Sequence, residues 1–215
     1  MIEDLPAPPG PGRPKDPAKR EAILAAAQSL FLNNGYEGSS MDAIATEAGV
    51  SKLTLYSHFK DKEALFAAAV KATCETRLPR KLFLLEEGRS IRQVLLELGQ
   101  AFHELANSPE SIGLHRVMVT MATQNPALSR MFYDAGPQLL LQDLEQLLGE
   151  AHAQGLLHVP APAHAAEHFC SLLKGGVHFR LMIGYDDALD DAEACRHVDE
   201  VVTLFVRAYA PLSSH

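Results

Sequence analysis

The stretch SSMDAIATEAGVSKLTLYSHFKDKE, residues 39–63, carries the clearest structural signals in the chain. Ser39 or Ser40 can cap a first helix, because a serine hydroxyl accepts from the free backbone N–H groups of a helix's first turn. Gly49 can end that helix in the left-handed conformation that glycine adopts at little cost. Ser51 can cap a second helix directly afterwards. The stretch therefore predicts two short helices joined by a tight turn.

Apolar residues fall on one side of each of these helices. Met41, Ile44, Ala45 and Ala48 have the i, i+3, i+4, i+7 spacing of a single stripe. Leu55 extends the buried side into the second helix. Two helices with a short glycine-containing turn form the helix-turn-helix of DNA-binding proteins, whose second helix lies in the major groove. An ordinary helical hairpin with a solvated face is the alternative.

The outward side of the second helix, residues 52–58, carries side chains that suit a DNA groove. A lysine can reach a phosphate or a guanine edge, and a threonine can touch a base edge or a thymine methyl group. Tyrosine and histidine can donate to phosphates. The first turn of the next helix adds backbone N–H groups and an ammonium group that favour a phosphate. The residues predicted to contact DNA from this region are Ser40, Lys52, Leu53, Thr54, Tyr56, His58 and Lys62.

The first 16 residues are rich in proline and glycine and are predicted to be disordered or extended. Within them, GRPK at residues 12–15 resembles the core of an AT-hook, an extended basic segment that fits a narrow minor groove. Arg13 and Lys15 are therefore predicted to contact DNA beside the helix-turn-helix. A solvated linker is the alternative, because a full hook has another arginine before the glycine, where this chain has Pro11.

Composition predicts an all-α protein with a substantial core. The chain has 215 residues, is 47% hydrophobic and lacks tryptophan, and it has few alternating β-branched runs. We expect about nine helices, arranged as an N-terminal three-helix helix-turn-helix domain and a C-terminal helical bundle. No apolar run of about 18 residues is present, so no membrane span is expected. The three cysteines have no CxxC spacing, which fits a reducing cytoplasm.

The sequence is predicted to divide into an arm at residues 1–16, a helix-turn-helix domain at 17–62, and a C-terminal helical domain at 63–215, to which the family resemblance described below assigns ligand binding and dimerisation. Gly136-Pro137 is expected to break or kink a helix in the last part. The segment 110–123 is apolar on nearly all sides and is expected to be buried throughout. The longer helices are predicted at residues 90–106, 110–123, 127–134, 139–154, 164–184 and 191–209.

The net charge of −8 argues against nucleic acid when the chain is taken as a whole. Residues 13–62, however, carry seven Lys and Arg against six Asp and Glu, whereas residues 63–215 carry twelve against nineteen. The acidic excess therefore belongs to the C-terminal part. We expect DNA affinity to come from a few placed cations on each of two subunits, with the acidic bodies held away from the phosphates.

The run GVSKLTLYSHFKDKEAL at residues 49–65, with AILAAAQSLFLNNGYEGSSMDAIATEAG before it, closely resembles the N-terminal domain of the TetR family of regulators. The resemblance covers roughly residues 17–70. It implies a repressor that binds a palindromic operator on double-stranded DNA and is released by a small-molecule inducer. The C-terminal part resembles the AefR-like branch, whose regulators are linked to efflux genes and stress traits. Leu53 stands where the family often has a small residue, so no base preference carries over.

No enzyme motif is present, because the chain lacks GxGxxG, GxSxG, a P-loop and HExxH. We therefore expect no catalytic residues and no cofactor. Seven of the ten histidines lie between His103 and His178, and His164 and His168 have the i, i+4 spacing of metal ligands. No metal site is assigned, but a metal- or haem-responsive regulator remains an alternative. A further alternative is an interaction protein that keeps the fold without binding DNA.

The C-terminal bundle is predicted to hold a small-molecule pocket, as the TetR resemblance implies. An apolar cavity with a few polar groups is typical of ligand sites, and methionine supplies an adaptable lining. Ordinary core packing explains the same residues and is the alternative. The residues predicted to contact the ligand are Phe102, His115, Met118, Met121, Phe132 and His178.

A homodimer is expected because one short recognition helix contacts few bases, and two copies one DNA turn apart double the contacts. The last two long helices are the predicted interface, where they would form a four-helix bundle with a partner. The alternative is that their apolar stripes close the monomer's own core. The predicted interface residues are Phe169, Leu172, Leu173, Gly176, Val202, Phe205 and Val206.

Overall fold

The computed structural model describes residues 16–186 and 190–211, and these residues form helices and no strand. The predicted all-α class is confirmed. The helices are α1 (Pro17–Asn34), α2 (Met41–Glu47), α3 (Lys52–His58), α4 (Lys62–Arg77), a 3₁₀ turn (Arg80–Phe83), α5 (Ile91–Asn107), α6 (Pro109–Met121), α7 (Pro126–Ala135), α8 (Pro137–Ala153), α9 (Pro162–Ile183) and α10 (Asp191–Ala208).

Side-chain caps set the start of each N-terminal helix. The hydroxyl of Ser40 accepts from the backbone N–H of Ala43 at 3.1 Å, and that of Ser51 accepts from Thr54 at 3.1 Å. Ser39 is not a cap: it is buried, and its hydroxyl lies within 2.9 Å of the carbonyl oxygens of Leu30 and Gly35. It therefore fastens α1 to the start of α2.

The N-terminal core joins α1 to α4 and extends into the rest of the molecule. Phe31, Tyr36 and Phe66 pack ring against ring, with centroids 5.2 to 5.7 Å apart. Leu65 to Val70 of α4 lie in the same cluster, together with Met118 of α6 and Leu128 of α7. Helix α4, which the domain prediction assigns to the C-terminal part, therefore contributes to the N-terminal core.

A second core lies among α5, α8, α9 and α10. Helix α6 runs along its edge, and the expectation that this segment is buried throughout was wrong. Only Ile112 and Met118 of α6 are buried, and Val119 is 67% exposed. The helix packs against α1, α5, α7 and α9 but leaves one side to solvent.

Two glycines interrupt the long helices. Gly136 has φ −131° and ψ −80°, which separates α7 from α8 at the predicted Gly136-Pro137 break. Gly175 has φ +55° and ψ −167°, which kinks α9 near its middle. None of the helices within residues 16–186 and 190–211 is long and apolar enough to cross a membrane.

Candidate nucleic-acid interface and ligand cavity

Helix α3 buries one side and presents the other to solvent. Leu55 and Phe59 are anchored in the N-terminal core, whereas Leu53 is 83% exposed and Tyr56 is 44% exposed. Leu53 makes no apolar contribution to this core, although an exposed leucine is costly in water. The five residues predicted for the DNA contact from α3 all lie within this short helix: Lys52, Leu53 and Tyr56 are exposed, and Thr54 and His58 are half-buried.

The ammonium group of Lys52 already has a partner on the neighbouring helix. Its Nζ lies 2.8 Å from Oδ1 of Asp42, and both side chains are well exposed. The hydrogen bond from Lys52 to Asp42 raises the lysine pKa, so the group remains charged at neutral pH. The pair bridges α2 and α3 and places a carboxylate beside the cation that would meet a phosphate.

The hydroxyl of Thr54 takes part in the local cap. Its Oγ1 lies 2.9 Å from Oγ of Ser51, whose hydroxyl also accepts from the Thr54 backbone. Ser40 caps α2 from an exposed position. Both hydroxyls keep unused hydrogen-bonding capacity, since a hydroxyl has one donor and two acceptor sites.

Lys62 is held against the protein more closely than the sequence suggests. Its Nζ donates to the carbonyl oxygen of Tyr36 at 2.9 Å and lies 4.2 Å from the centre of the Tyr36 ring. Burial and three nearby carboxylates raise the pKa of Tyr36 to about 12, so this phenol stays neutral. Lys62 therefore braces α4 against the loop before α2. Arg13 and Lys15, the predicted arm contacts, lie outside the described residues.

A cavity of about 350 Å³ lies between the two cores. Its size is at the lower end of pockets that hold drug-sized ligands, roughly 300–1,000 Å³. Helix α4 forms one wall of the cavity, and the same helix also packs within the N-terminal core. The lining comes from seven helices and includes Gln28, Phe31, Leu32, Phe66, Ala69, Val70, Thr73, Cys74, Phe102, Leu105, Ala106, Glu110, Ser111, Leu114, His115, Phe132, Tyr133, Leu140, Leu141, Glu167, Cys170, Ser171 and Lys174.

Burial keeps one histidine and two cysteines of the cavity wall uncharged. Burial lowers the pKa of His115 to about 4, with smaller contributions from His178 and Lys174. Burial raises the pKa of the Cys170 thiol to about 12 and that of Cys74 to about 11. At neutral pH the wall therefore offers a neutral imidazole and two neutral thiols.

Half of the predicted ligand residues line this cavity. Phe102, His115 and Phe132 do, but Met118, Met121 and His178 do not. Met118 and Met121 face the N-terminal core, and His178 turns toward Asn107, whose Oδ1 lies 3.1 Å from the ring Nδ1. The missed lining residues come from all seven helices, and on α1, α4 and α8 no lining residue was predicted. No periodicity could have found them, because several helices meet at the cavity.

The predicted dimer residues lie on α9 and α10, and most of them are buried inside the monomer. The monomer's own core buries four of them completely: Phe169, Leu173, Val202 and Phe205. Leu172, Gly176 and Val206 keep some exposure. Large apolar side chains that do reach the surface of these helices are Leu172, Phe179 at 66% exposure, Ile183 at 60% and Leu204 at 55%.

The histidines do not assemble into a metal site within the described ranges, 16–186 and 190–211. No group of three or more His, Cys, Asp or Glu side chains there can hold a metal ion. His168, one of the i, i+4 pair, instead has its Nδ1 3.2 Å from the hydroxyl of Tyr209. His103 and His197 both lie beside the carbonyl of Leu173.

Comparison with known proteins gives two family matches. Residues 23–69 match the model for bacterial regulatory proteins of the tetR family. Residues 93–211 match the model for the C-terminal domain of AefR-like transcriptional repressors. Together the two models cover most of the described chain.

Individual relatives agree with these matches. The transcriptional regulator RutR of Escherichia coli K12 is 33% identical over 144 residues, which is 63% of this chain and 59% of RutR. The Bacillus subtilis regulator YdeS is 34% identical over 84 residues, covering 39% of this chain and 40% of YdeS. The chain thus spans less than two thirds of these curated relatives.

Solved structures extend the likeness over most of the chain. A TetR-family transcriptional regulator from Mesorhizobium loti is 30% identical, with a TM-score of 0.76, over 89% of this chain and 96% of that one. The flavonoid-responsive regulator FrrA is 30% identical, with a TM-score of 0.70, over 92% of this chain and all of FrrA.

Proposed function

The chain belongs to the TetR family of bacterial regulators, and from this premise we propose that it is a ligand-released repressor that binds a palindromic operator as a dimer. The observation that carries the proposal is the outward side of α3, where Leu53 and Tyr56 stand exposed on a helix otherwise anchored by Leu55. An exposed leucine and tyrosine beside a lysine suit a groove in which apolar, phosphate and base-edge contacts alternate.

Phosphate contacts supply most of the affinity in this proposal. Oxygens of the DNA phosphates accept hydrogen bonds from Lys52, Ser40, Tyr56 and His58. The base edges are contacted by Thr54 and Leu53. Lys62 contributes by holding α4 in place, and the backbone N–H groups of α4's first turn favour a phosphate. We keep Arg13 and Lys15 as proposed minor-groove contacts.

The dimer in this proposal uses the exposed side of α9 and α10. Leu172 and Phe179 lie seven residues apart on α9, and Leu204 lies beside Leu172 along a surface groove between the helices. Exposed apolar side chains grouped in this way mark interaction sites. A second copy related by a two-fold axis covers both grooves at once and sets the distance between the two α3 helices.

The ligand acts through α4 in this proposal. One wall of the cavity is α4, from Phe66 to Cys74, and the same helix packs on α1 within the N-terminal core. A molecule that fills the cavity favours one setting of α4 and hence one separation of the two recognition helices. A coupling free energy of roughly 1–3 kcal/mol is typical for such a system. FrrA's description as flavonoid-responsive supports a small-molecule effector here as well.

Selection of bound duplexes from a random DNA pool, at a stated salt concentration near physiological, tests the proposal. We expect a palindrome with half-sites about one DNA turn apart. The Tyr56→Ala variant should lose enrichment of this palindrome, whereas Lys71→Ala, which removes a solvent-exposed α4 lysine paired with Glu75, should keep it. Recovery of unselected DNA by the unmodified protein would favour an interaction protein that retains the fold.

A further inference from the structure

The inner wall of the cavity is apolar and aromatic, and its charges lie toward the opening. Phe31, Phe66, Phe102 and Phe132 line it. The charged groups among its described lining residues are two carboxylates, those of Glu110 and Glu167, and the ammonium of Lys174, and both glutamates are exposed to solvent. An aromatic ring system therefore fits the interior, and a ligand's charge would find little compensation there.

His115 supplies the polar group inside the wall. Its Nδ1 is closed off from solvent and forms no hydrogen bond of ordinary geometry with a described residue. The Ser111 carbonyl is near enough to raise the pKa of the ring slightly, against the larger effect of burial. Phe132 and His178 pack edge-on against the ring at 5.5 and 5.4 Å and hold it in place. The nitrogen left to meet a ligand is Nε2. A neutral imidazole offers one acceptor and one donor, and a hydroxyl group can pair with either.

A second polar group in the cavity wall, the side-chain oxygen of Gln28, favours a hydrogen-bond donor on the ligand. The amide nitrogen of Gln28 donates to Oγ1 of Thr73 at 2.8 Å and to the carbonyl oxygen of Ala69 at 3.2 Å. The Thr73 hydroxyl in turn donates to the same carbonyl at 3.1 Å. The Gln28 amide nitrogen and the Thr73 hydroxyl are the donors in these hydrogen bonds, so Oε1 of Gln28 remains available as an acceptor. A ligand that brings hydroxyl protons satisfies this group too.

We propose that the cavity binds a neutral aromatic molecule that carries a hydroxyl group, and that this hydroxyl pairs with Nε2 of His115. This inference rests on the proposed function only in taking the cavity as the effector site. A carboxylate ligand would meet a single lysine against two glutamates and lose its hydration. An ammonium ligand would meet carboxylates that are already hydrated at the opening, and so gains little from them.

Four probes of one shape test the proposal on the purified full-length chain without DNA. They are biphenyl, 4-phenylphenol, biphenyl-4-carboxylate and 4-phenylbenzylamine, which share the two rings and differ in the substituent at one end. Binding is followed by titration calorimetry. We expect 4-phenylphenol to bind roughly five- to tenfold more tightly than biphenyl, the size of one net hydrogen bond. The carboxylate and the amine should bind more weakly than the phenol.

The His115→Leu variant separates the hydrogen bond from cavity shape. It should bind biphenyl at least as well as the unmodified chain and should bring 4-phenylphenol to within about twofold of biphenyl. His164→Ala, which removes an exposed histidine from α9, should keep the full preference. Thermal unfolding of each variant confirms that it is folded before binding is compared.

Three outcomes overturn the proposal. Tightest binding of the amine would make the cavity a cation site, and tightest binding of the carboxylate would make it an anion site. A preference for the phenol that survives in His115→Leu would remove His115 from recognition. Because DNA is absent from these titrations, failure of the ligand preference is distinct from failure to select an operator.

Discussion

The imidazoles of His103 on α5 and His197 on α10 meet at one acceptor, the carbonyl oxygen of Leu173 on α9, at 2.9 and 3.1 Å. Leu173 lies two residues before the kink at Gly175, where the backbone has φ +55° and ψ −167°. In a regular helix its carbonyl would accept from the backbone N–H four residues on, which lies beyond the kink. The two histidines join three helices at this point.

Replacing Gly175 by alanine should destabilise the protein by about 1–3 kcal/mol, because a side chain at positive φ is strained. The added Cβ would also lie 3.0 Å from Cε1 of His197 and 3.2 Å from its Nε2. Chemical denaturation measures the change. Gly176→Ala is the matched control, since its Cβ meets only the end of the Arg180 side chain, at 3.4 Å. Equal stability of the two variants would show that the kink does not constrain α9.

Stability should fall as the pH drops from about 6.5 to about 4. Burial lowers the pKa of His115 from 6.5 to about 4, so the unfolded chain takes up a proton in this window that the folded chain refuses. The free energy of unfolding therefore rises with pH across this window, and the stabilising contribution of the neutral imidazole is complete above pH 6.5. His115 alone should contribute on the order of 2 kcal/mol. His103 and His178, whose pKa values burial also lowers, act in the same direction.

Denaturation curves at pH 4.5 and pH 7.5 measure this effect. In His115→Leu the pH slope between these values should decrease by up to one proton, whereas His164→Ala should keep it. An unchanged slope in His115→Leu would mean that the folded and unfolded chains bind a proton at this imidazole equally well. That result would contradict the lowering of the His115 pKa by burial.

Neutralising Asp42 should strengthen DNA binding. The carboxylate lies 2.8 Å from the Lys52 ammonium, so it competes with a DNA phosphate for that cation. It also repels the negatively charged DNA backbone. In Asp42→Asn the affinity for the selected operator should rise several-fold, most clearly at low salt, with a steeper dependence on salt concentration. Glu75→Gln, which frees Lys71 on α4 in the same way, is the control and should leave affinity unchanged. Weaker binding in Asp42→Asn would mean that the pair positions Lys52 for its contact.

Local chemistry made the N-terminal half of the fold predictable from sequence. Serine caps, a glycine at φ +64° and one apolar stripe are all readable within a few residues. The choice between Ser39 and Ser40 as the cap of α2 could not be made from the sequence, because a serine at either position can cap a helix. Only the packing of α1 shows that the Ser39 hydroxyl is needed by the carbonyls of Leu30 and Gly35.

The cavity and the surface of α9 and α10 depend on tertiary packing that no single helix reveals. Met118 is apolar and in the right segment, yet the turn of α6 points it at the N-terminal core. Phe169 lies on the apolar stripe of α9 and Phe205 on that of α10. Sequence alone does not show that the two rings bury each other, with centroids 4.8 Å apart. Periodicity identifies the buried side of a helix but not which neighbour covers it.

Substitutions at an exposed and at a buried position of α10 should have different effects. Leu204 is 55% exposed, and a glutamate there should leave the monomer folded while it disrupts a dimer formed by the exposed side of α9 and α10. Phe205 is 1% exposed, and Phe205→Ala should instead cost about 3–5 kcal/mol of folding free energy. Sedimentation velocity and thermal unfolding, measured on both variants, distinguish loss of assembly from loss of structure.

Val119→Glu is the control for the added charge, because Val119 is 67% exposed and lies on α6, which is not one of the two helices of the proposed interface. We expect the unmodified chain and Val119→Glu to sediment as dimers and Leu204→Glu as a folded monomer. The monomer should also lose its preference for palindromic over half-site DNA, since a single α3 reads one half-site. A Leu204→Glu protein that remains dimeric would place the interface elsewhere and leave the groove beside Leu172 without a role in assembly.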